Sequence, residues 1–197
     1  MTVILASGSA TRRAMLDRAG IPFAVETAAV DEAAVKAAMK EETNNPARVA
    51  EVLAELKATR VSARNPGAIV IGADQMLDCD GIWFDKPESV GAAAAQLGAL
   101  RGKTHRLTSA VVAVRDCRRL WHHTDIARLT MRAFSDAFLA DYLARLGEMA
   151  TASVGAYQIE GLGAQLFMAV EGDHFTILGL PLLPLLDFLR ENGVLTP

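Results

Sequence analysis

A chain of 197 residues, 51% hydrophobic, with 20 basic and 23 acidic side chains and a net charge of −3, has material for one sizeable core and predicts a single domain over residues 1–197. The charges are dispersed without a basic block, which excludes duplex nucleic acid as a partner. No stretch approaches the roughly 18 apolar residues of a membrane span, and Cys79 and Cys117 have neither CxxC spacing nor a histidine cluster, so the expectation is a soluble protein of the reducing cytoplasm, without signal segment, disulfide or zinc.

Residues 3–6 form an apolar run ended by Ser7-Gly8-Ser9, the pattern of a buried strand entering a loop. From Ala10, the spacing of Ala14, Met15 and Ala19 predicts a helix stopped by Gly20, with Pro22 beyond. Residues 23–27 predict a second strand. Residues 31–42 and, after the Asn-Asn-Pro break, 47–63 are rich in Ala, Lys and Glu and predict two helices. Residues 68–77, AIVIGADQML, predict a strand that carries Asp74 among apolar neighbours, and the turn 78–81 with residues 82–84 predicts a hairpin beside it. A helix over 89–99, paired strands over 107–114 and 120–131 around a turn at 116–119, and a helix over 135–146 begun by Ser135 follow. A strand over 164–170 and an amphipathic helix over 182–191, ended by Asn192-Gly193, close the chain. Strands and helices intermix without repeats or linkers, which places the chain in the α/β or α+β class.

Four stretches carry groups suited to chemistry. Ser7 and Ser9 lead into a helix that carries Arg12 and Arg13 at its start. Free N–H groups there, the helix dipole and guanidinium forks suit a phosphate, while the same serines serve equally as a cap with solvated arginines. GxxxxGK[ST] is absent, so the corner is not a P-loop. A lone buried carboxylate costs several kcal/mol, so Asp74 either meets a cation or metal at a site or is a turn aspartate capping a backbone N–H. Lys86, fixed in direction by Pro87, and Lys57, the one base between Leu53 and Ala58, each read as a phosphate ligand or a surface lysine. In GAYQIEGLGAQLF (155–167), glycines admit a ligand to the backbone, and Glu160 can accept hydrogen bonds from a base edge; otherwise the glycines make a bend. His105, His122, His123 and His174 fit no metal-ligand spacing.

LASGSATRR (5–13), Asp31-Glu32, Lys57, IGAD (71–74), Asp85-Lys86-Pro87, GKTH (102–105), GAYQIEGLGA (155–164) and EGDHFTILGLPL (171–182) occur in this order along nearly the whole chain. The set resembles the Maf family of nucleoside triphosphate pyrophosphatases. The resemblance implies a Maf/ITPase-like α/β fold, an elongated mixed sheet flanked by helices in two lobes around a nucleotide cleft. It also implies hydrolysis of a nucleoside triphosphate to monophosphate and diphosphate, assisted by Mg²⁺ or Mn²⁺. Asp74 matches the family's proton acceptor, and Ser7, Arg12, Glu32, Lys57 and Lys86 its polar site residues, with Glu32 and Asp74 as metal ligands. Specificity falls on three positions. Gln75 and Glu160 are similar to the branch acting on 7-methyl-GTP. At the third, Thr11 stands where that branch has tryptophan and the dTTP/UTP branch has arginine. A carboxylate at Glu160 suits the guanine N1–H and amine and repels the carbonyls of uracil or thymine. The implied role is housecleaning of noncanonical nucleotides, with a dTTP/UTP pyrophosphatase or a nucleotide-binding regulator of septum formation and cell-division arrest as alternatives. Homodimers are common in the family.

Overall fold

The computed structural model describes residues 2–196. In chain order the elements are β1 (Val3–Leu5), α1 (Ala10–Arg18), β2 (Ala24–Val25), α2 (Glu32–Glu42), α3 (Pro46–Ser62), β3 (Ile69–Cys79), β4 (Ile82–Phe84), α4 (Val90–Leu100), β5 (Thr104–Arg115), β6 (Arg118–Met131), α5 (Asp136–Leu146), β7 (Phe167–Glu171), α6 (His174–Ile177) and α7 (Leu182–Glu191), with 3₁₀ turns between α5 and β7. The strands make one mixed sheet in the order β2-β1-β3-β5-β6-β7, with β4 paired to β3. β1 runs parallel to β2 and β3, while β4 and β7 are antiparallel to their neighbours. A mixed sheet flanked by helices is the expected class. No helix among the described residues is long and apolar enough to cross a membrane.

Most boundaries follow from local chemistry. Ser9, Asp31, Asn45, Ser89, Ser135 and Asp173 each accept a backbone N–H of the first helical turn through the side chain, and Pro46 opens α3 where its missing N–H costs nothing. Two hairpins are tighter than the expected turns. Asp80-Gly81 and Asp116-Cys117 all have positive φ, the two-residue primed turn that matches strand twist. β3 therefore runs on to Cys79 and β6 starts at Arg118. β2 is shorter than expected. Where residues 164–170 predict a strand, 162–166 are a 3₁₀ turn and β7 starts at Phe167. The reason is a chain reversal: Gly161 and Ala164 donate to the carbonyls of Gln158 and Gly161, and a Cβ on Gly163 would lie 2.5 Å from the Gln158 oxygen.

The chain divides into two compact units. The first holds residues 1–75, 108–126 and 173–197. Its core joins Val3 and Leu5, Ile69 and Ile71, Val111 and Ala113 to Leu16 of α1 and Leu185, Phe188 and Leu189 of α7. Alternation sends Val70 and Gly72 to the opposite face, where Val49, Leu53, Ala54, Ala58 and Val61 of α3 are buried.

The second unit holds residues 76–107 and 127–172. There α4 and α5 pack with each other and with the 3₁₀ turns that follow α5. Tyr157 is the hub. Its hydroxyl lies 2.7 Å from His105 Nε2 and its ring meets Phe167 edge-on at 4.8 Å. Burial pushes the Tyr157 phenol well above its ordinary range and holds His105 down to about 4. An unfolded chain therefore binds a proton at His105 between pH 6.5 and 4 that the folded chain refuses, so stability falls as pH falls through that window. The loss should reach about 3 kcal/mol near pH 4. Urea midpoints at pH 7 and pH 4.5 should separate further in the wild type than in His105→Gln, and equal separations would refute the assignment.

Candidate active site

The corner after β1 is organised by its own polar groups. Ser9 caps α1 by accepting the Arg12 N–H at 3.4 Å, and Ser7 Oγ accepts the Ser9 N–H at 3.3 Å. Ser7 is buried and also accepts from Arg12 Nη1 at 3.2 Å. With two donors on its oxygen, the Ser7 proton is the part left to give. Arg12 turns inward: Nη1 donates to the Ala73 carbonyl at 2.9 Å and Nε to the Gly179 carbonyl at 2.8 Å. These bonds use Nε and Nη1 and leave Nη2 as the edge the fork can offer an anion. Burial lowers the Arg12 pKa, and the charges of Asp74 and Glu32 work against that shift.

Asp74 lies in mid-strand, 4% exposed, so it is no turn aspartate. The partner its burial demands is Lys57, whose Nζ lies 2.6 Å from Asp74 Oδ1 and 2.7 Å from Glu32 Oε1. The row is carboxylate, ammonium, carboxylate. Glu32 is the first residue of α2, set by the Asp31 cap, and Lys57 shares the inward side of α3 with Ala54 and Ala58. What brings α3 so close is Gly72, two residues before Asp74 on the same strand face. Even a methyl group there would overlap the Ala54 carbonyl oxygen and stand 2.9 Å from Ala58 Cβ.

One atom of this row is unsatisfied. Asp74 Oδ2 is buried and has no hydrogen-bond partner among the described residues, an arrangement that costs free energy unless a ligand completes it. Among the described residues no cluster of three His, Cys, Asp or Glu could hold a metal. Two hard carboxylates and an unused oxygen nevertheless fit a magnesium-like ion, which takes one or two protein carboxylates and fills its shell with water and phosphate oxygens.

The structure thus brings Ser7, Arg12, Glu32, Lys57 and Asp74 together within the first unit. Gln75 belongs to the same unit but points to the other face of β3. There its amide nitrogen donates to Ser109 Oγ at 3.0 Å and to the carbonyls of Thr176 and Ile177 at 3.1 and 3.0 Å. Thr11 and Arg13 are on the exposed side of α1, Arg13 paired with Asp17 one turn along at 3.7 Å. Lys86 and Glu160 are exposed residues of the second unit, Lys86 in the loop before α4 beside the buried Pro87. Sequence reasoning missed Ser109, Thr176 and Gly179. Only Gly179 left a signal, a glycine inside EGDHFTILGLPL, where its φ is +97°.

An α/β sheet carrying a phosphate-suited arginine corner beside a paired, half-satisfied carboxylate defines a class: enzymes that handle phosphate anions by acid–base chemistry. Residues 2–192 match the Maf-like protein family, and the chain belongs to it. It is 71% identical to a nucleoside triphosphate pyrophosphatase of Paramagnetospirillum magneticum, over 98% of this chain and all of that one. It is also 55% identical to a protein of the same name from Rhodospirillum rubrum, over 98% of this chain and 96% of the relative. To a 7-methyl-GTP pyrophosphatase of Brucella abortus it is 52% identical, over 98% of each chain.

Proposed function

We propose that this chain is a nucleoside triphosphate pyrophosphatase that releases pyrophosphate and a nucleoside monophosphate, with 7-methyl-GTP-like substrates preferred. The observation that carries the reading is the state of Asp74: one oxygen held by Lys57, the other buried and unpartnered. Such a carboxylate is fixed in direction and has one free site at which to accept a proton. Asp74 takes a proton from water as the water oxygen bonds to the α-phosphorus. The bond from that phosphorus to the oxygen bridging to the β-phosphate breaks, and pyrophosphate leaves with the electron pair. The Arg12 Nη2 edge and the Ser7 hydroxyl hold phosphate oxygens, and the charges of Lys57 and Arg12 together offset the two carboxylates, which lessens their repulsion of the polyanionic tail. Asp74 and Glu32 would hold a Mg²⁺ or Mn²⁺ ion, whose chemistry when bound is neutralisation of phosphate charge and acidification of water. Arg13 and Lys86 are assigned as further phosphate cations from sequence. Base choice is assigned to Glu160, whose carboxylate accepts from guanine N–H groups, with Thr11 as the other specificity position.

The test is purified protein with Mn²⁺ and a panel of 7-methyl-GTP, GTP, dTTP and UTP, scored by product. Pyrophosphate plus monophosphate, fastest from 7-methyl-GTP, is expected. Orthophosphate as the product, or no turnover of any member, rejects the activity, and a preference for dTTP and UTP rejects the substrate branch.

A further inference from the structure

We propose that Gln75 is a positioning residue for Arg12, acting through the turn at 176–179, and that it does not read the base. The inference rests on the pyrophosphatase reading only in taking Arg12 as a phosphate ligand.

The Gln75 amide nitrogen has two protons and faces three acceptors, Ser109 Oγ and the carbonyls of Thr176 and Ile177. Both protons are therefore committed to the turn and to Ser109, which is itself bonded to the turn. Ser109, fully buried, donates to the same Thr176 carbonyl at 2.8 Å, and the Gly179 N–H closes on it at 3.0 Å. Thr176 is itself pinned, its hydroxyl donating to Asp125 Oδ2 at 2.8 Å and its N–H to Asp173 Oδ2 at 2.9 Å. The product of this fastening is the direction of one carbonyl, that of Gly179, which takes the Arg12 Nε proton. Gly179 is also the point at which the two side chains meet: a Cβ on it would lie 3.4 Å from Arg12 Nη2 and 3.7 Å from Gln75 Cδ. Gln75 therefore sets where the free edge of the guanidinium lies. A shorter side chain at this position would not span to the 176 and 177 carbonyls, so a change here moves the phosphate ligand.

A probe without a base separates the two roles. Inorganic tripolyphosphate binding by calorimetry, and KM and kcat for 7-methyl-GTP and dTTP, are to be measured in the wild type, Gln75→Met, Gly179→Ala, Arg12→Lys and Gln75→Met/Arg12→Lys, each checked by thermal melting. In Gln75→Met, tripolyphosphate affinity should fall about tenfold, the scale of one hydrogen bond's net contribution. Both KM values should rise by the same factor, with the preference between nucleotides unchanged. Gly179→Ala, which strains the same turn at φ +97°, should repeat the pattern. In the Arg12→Lys background the Gln75 change should add less than about twofold, because coupled residues are non-additive. Unchanged tripolyphosphate affinity in Gln75→Met, with or without a shifted nucleotide preference, overturns the proposal, as does full additivity with Arg12→Lys. If the wild type binds tripolyphosphate but cleaves no nucleotide, the pyrophosphatase reading fails and the calorimetric arms still decide this one. A wild type that binds no tripolyphosphate overturns this proposal, while the nucleotide panel still decides the pyrophosphatase reading.

Discussion

Asp74→Asn is expected to slow pyrophosphate release by about 10² to 10⁴-fold, the range a positioned general base contributes. The substitution keeps the shape and an oxygen that can accept from Lys57 Nζ, which now lies 2.6 Å from Oδ1. It removes the anionic oxygen that has no partner. Folding should therefore survive. The melting temperature should move by no more than a few degrees, since a neutral acceptor still faces the ammonium and Glu32 still supplies a charge at 2.7 Å. The larger insult to the fold would be to empty the Lys57 position, because an uncompensated buried carboxylate costs about 3–5 kcal/mol. A coupled pyrophosphate assay on the purified variant checks the expectation, and activity within threefold of wild type would dismiss Asp74 as the proton acceptor.

The second large effect is on stability. Gly72→Ala should destabilise the protein by about 3 kcal/mol, the upper end for overpacking, and lower the melting temperature by about 10 °C for a domain of this size. The added methyl would overlap the Ala54 carbonyl oxygen, and no rotamer relieves a clash between Cβ and backbone. Either α3 or β3 must shift. Because α3 carries Lys57 and β3 carries Asp74, the shift also opens the ion pair, so activity should fall in the folded fraction as well. Differential scanning calorimetry with a parallel turnover assay tests both halves. An unchanged melting temperature would mean that the helix does not ride on this glycine.

These two residues also show how much was legible beforehand. Asp74 stood out because a charge inside AIVIGADQML is costly to bury, and that argument called for a cation, a metal or a capped backbone N–H as its partner. Which cation it was did not follow. Lys57 lies 17 positions upstream on another element, and nothing in its local spacing separates a site lysine from a solvated one. Gly72 is one more residue of the strand predicted over 68–77, while its function is to admit a helix backbone. Gln75 illustrates the limit of motif reading: adjacent to Asp74 in sequence, it faces the other side of the sheet and spends its amide on residues about a hundred positions away.

What the amino-acid order determined by itself was whatever depends on near neighbours: the α/β class, the capped helix start at Ser135, the two hairpins, and the chemical character of the serine–arginine corner and of Asp74. Period, capping and turn formation act over a few residues, so their rules can be applied without coordinates. Tertiary structure alone decided that Lys57 bridges Glu32 and Asp74, that Gly179 steers Arg12, and that one oxygen of Asp74 is left without a partner. Those facts arise when a glycine lets α3 settle on β3 and when the 176–179 turn is tied to Gln75. Such contacts join segments far apart in the chain and are selected by close packing rather than by any local preference.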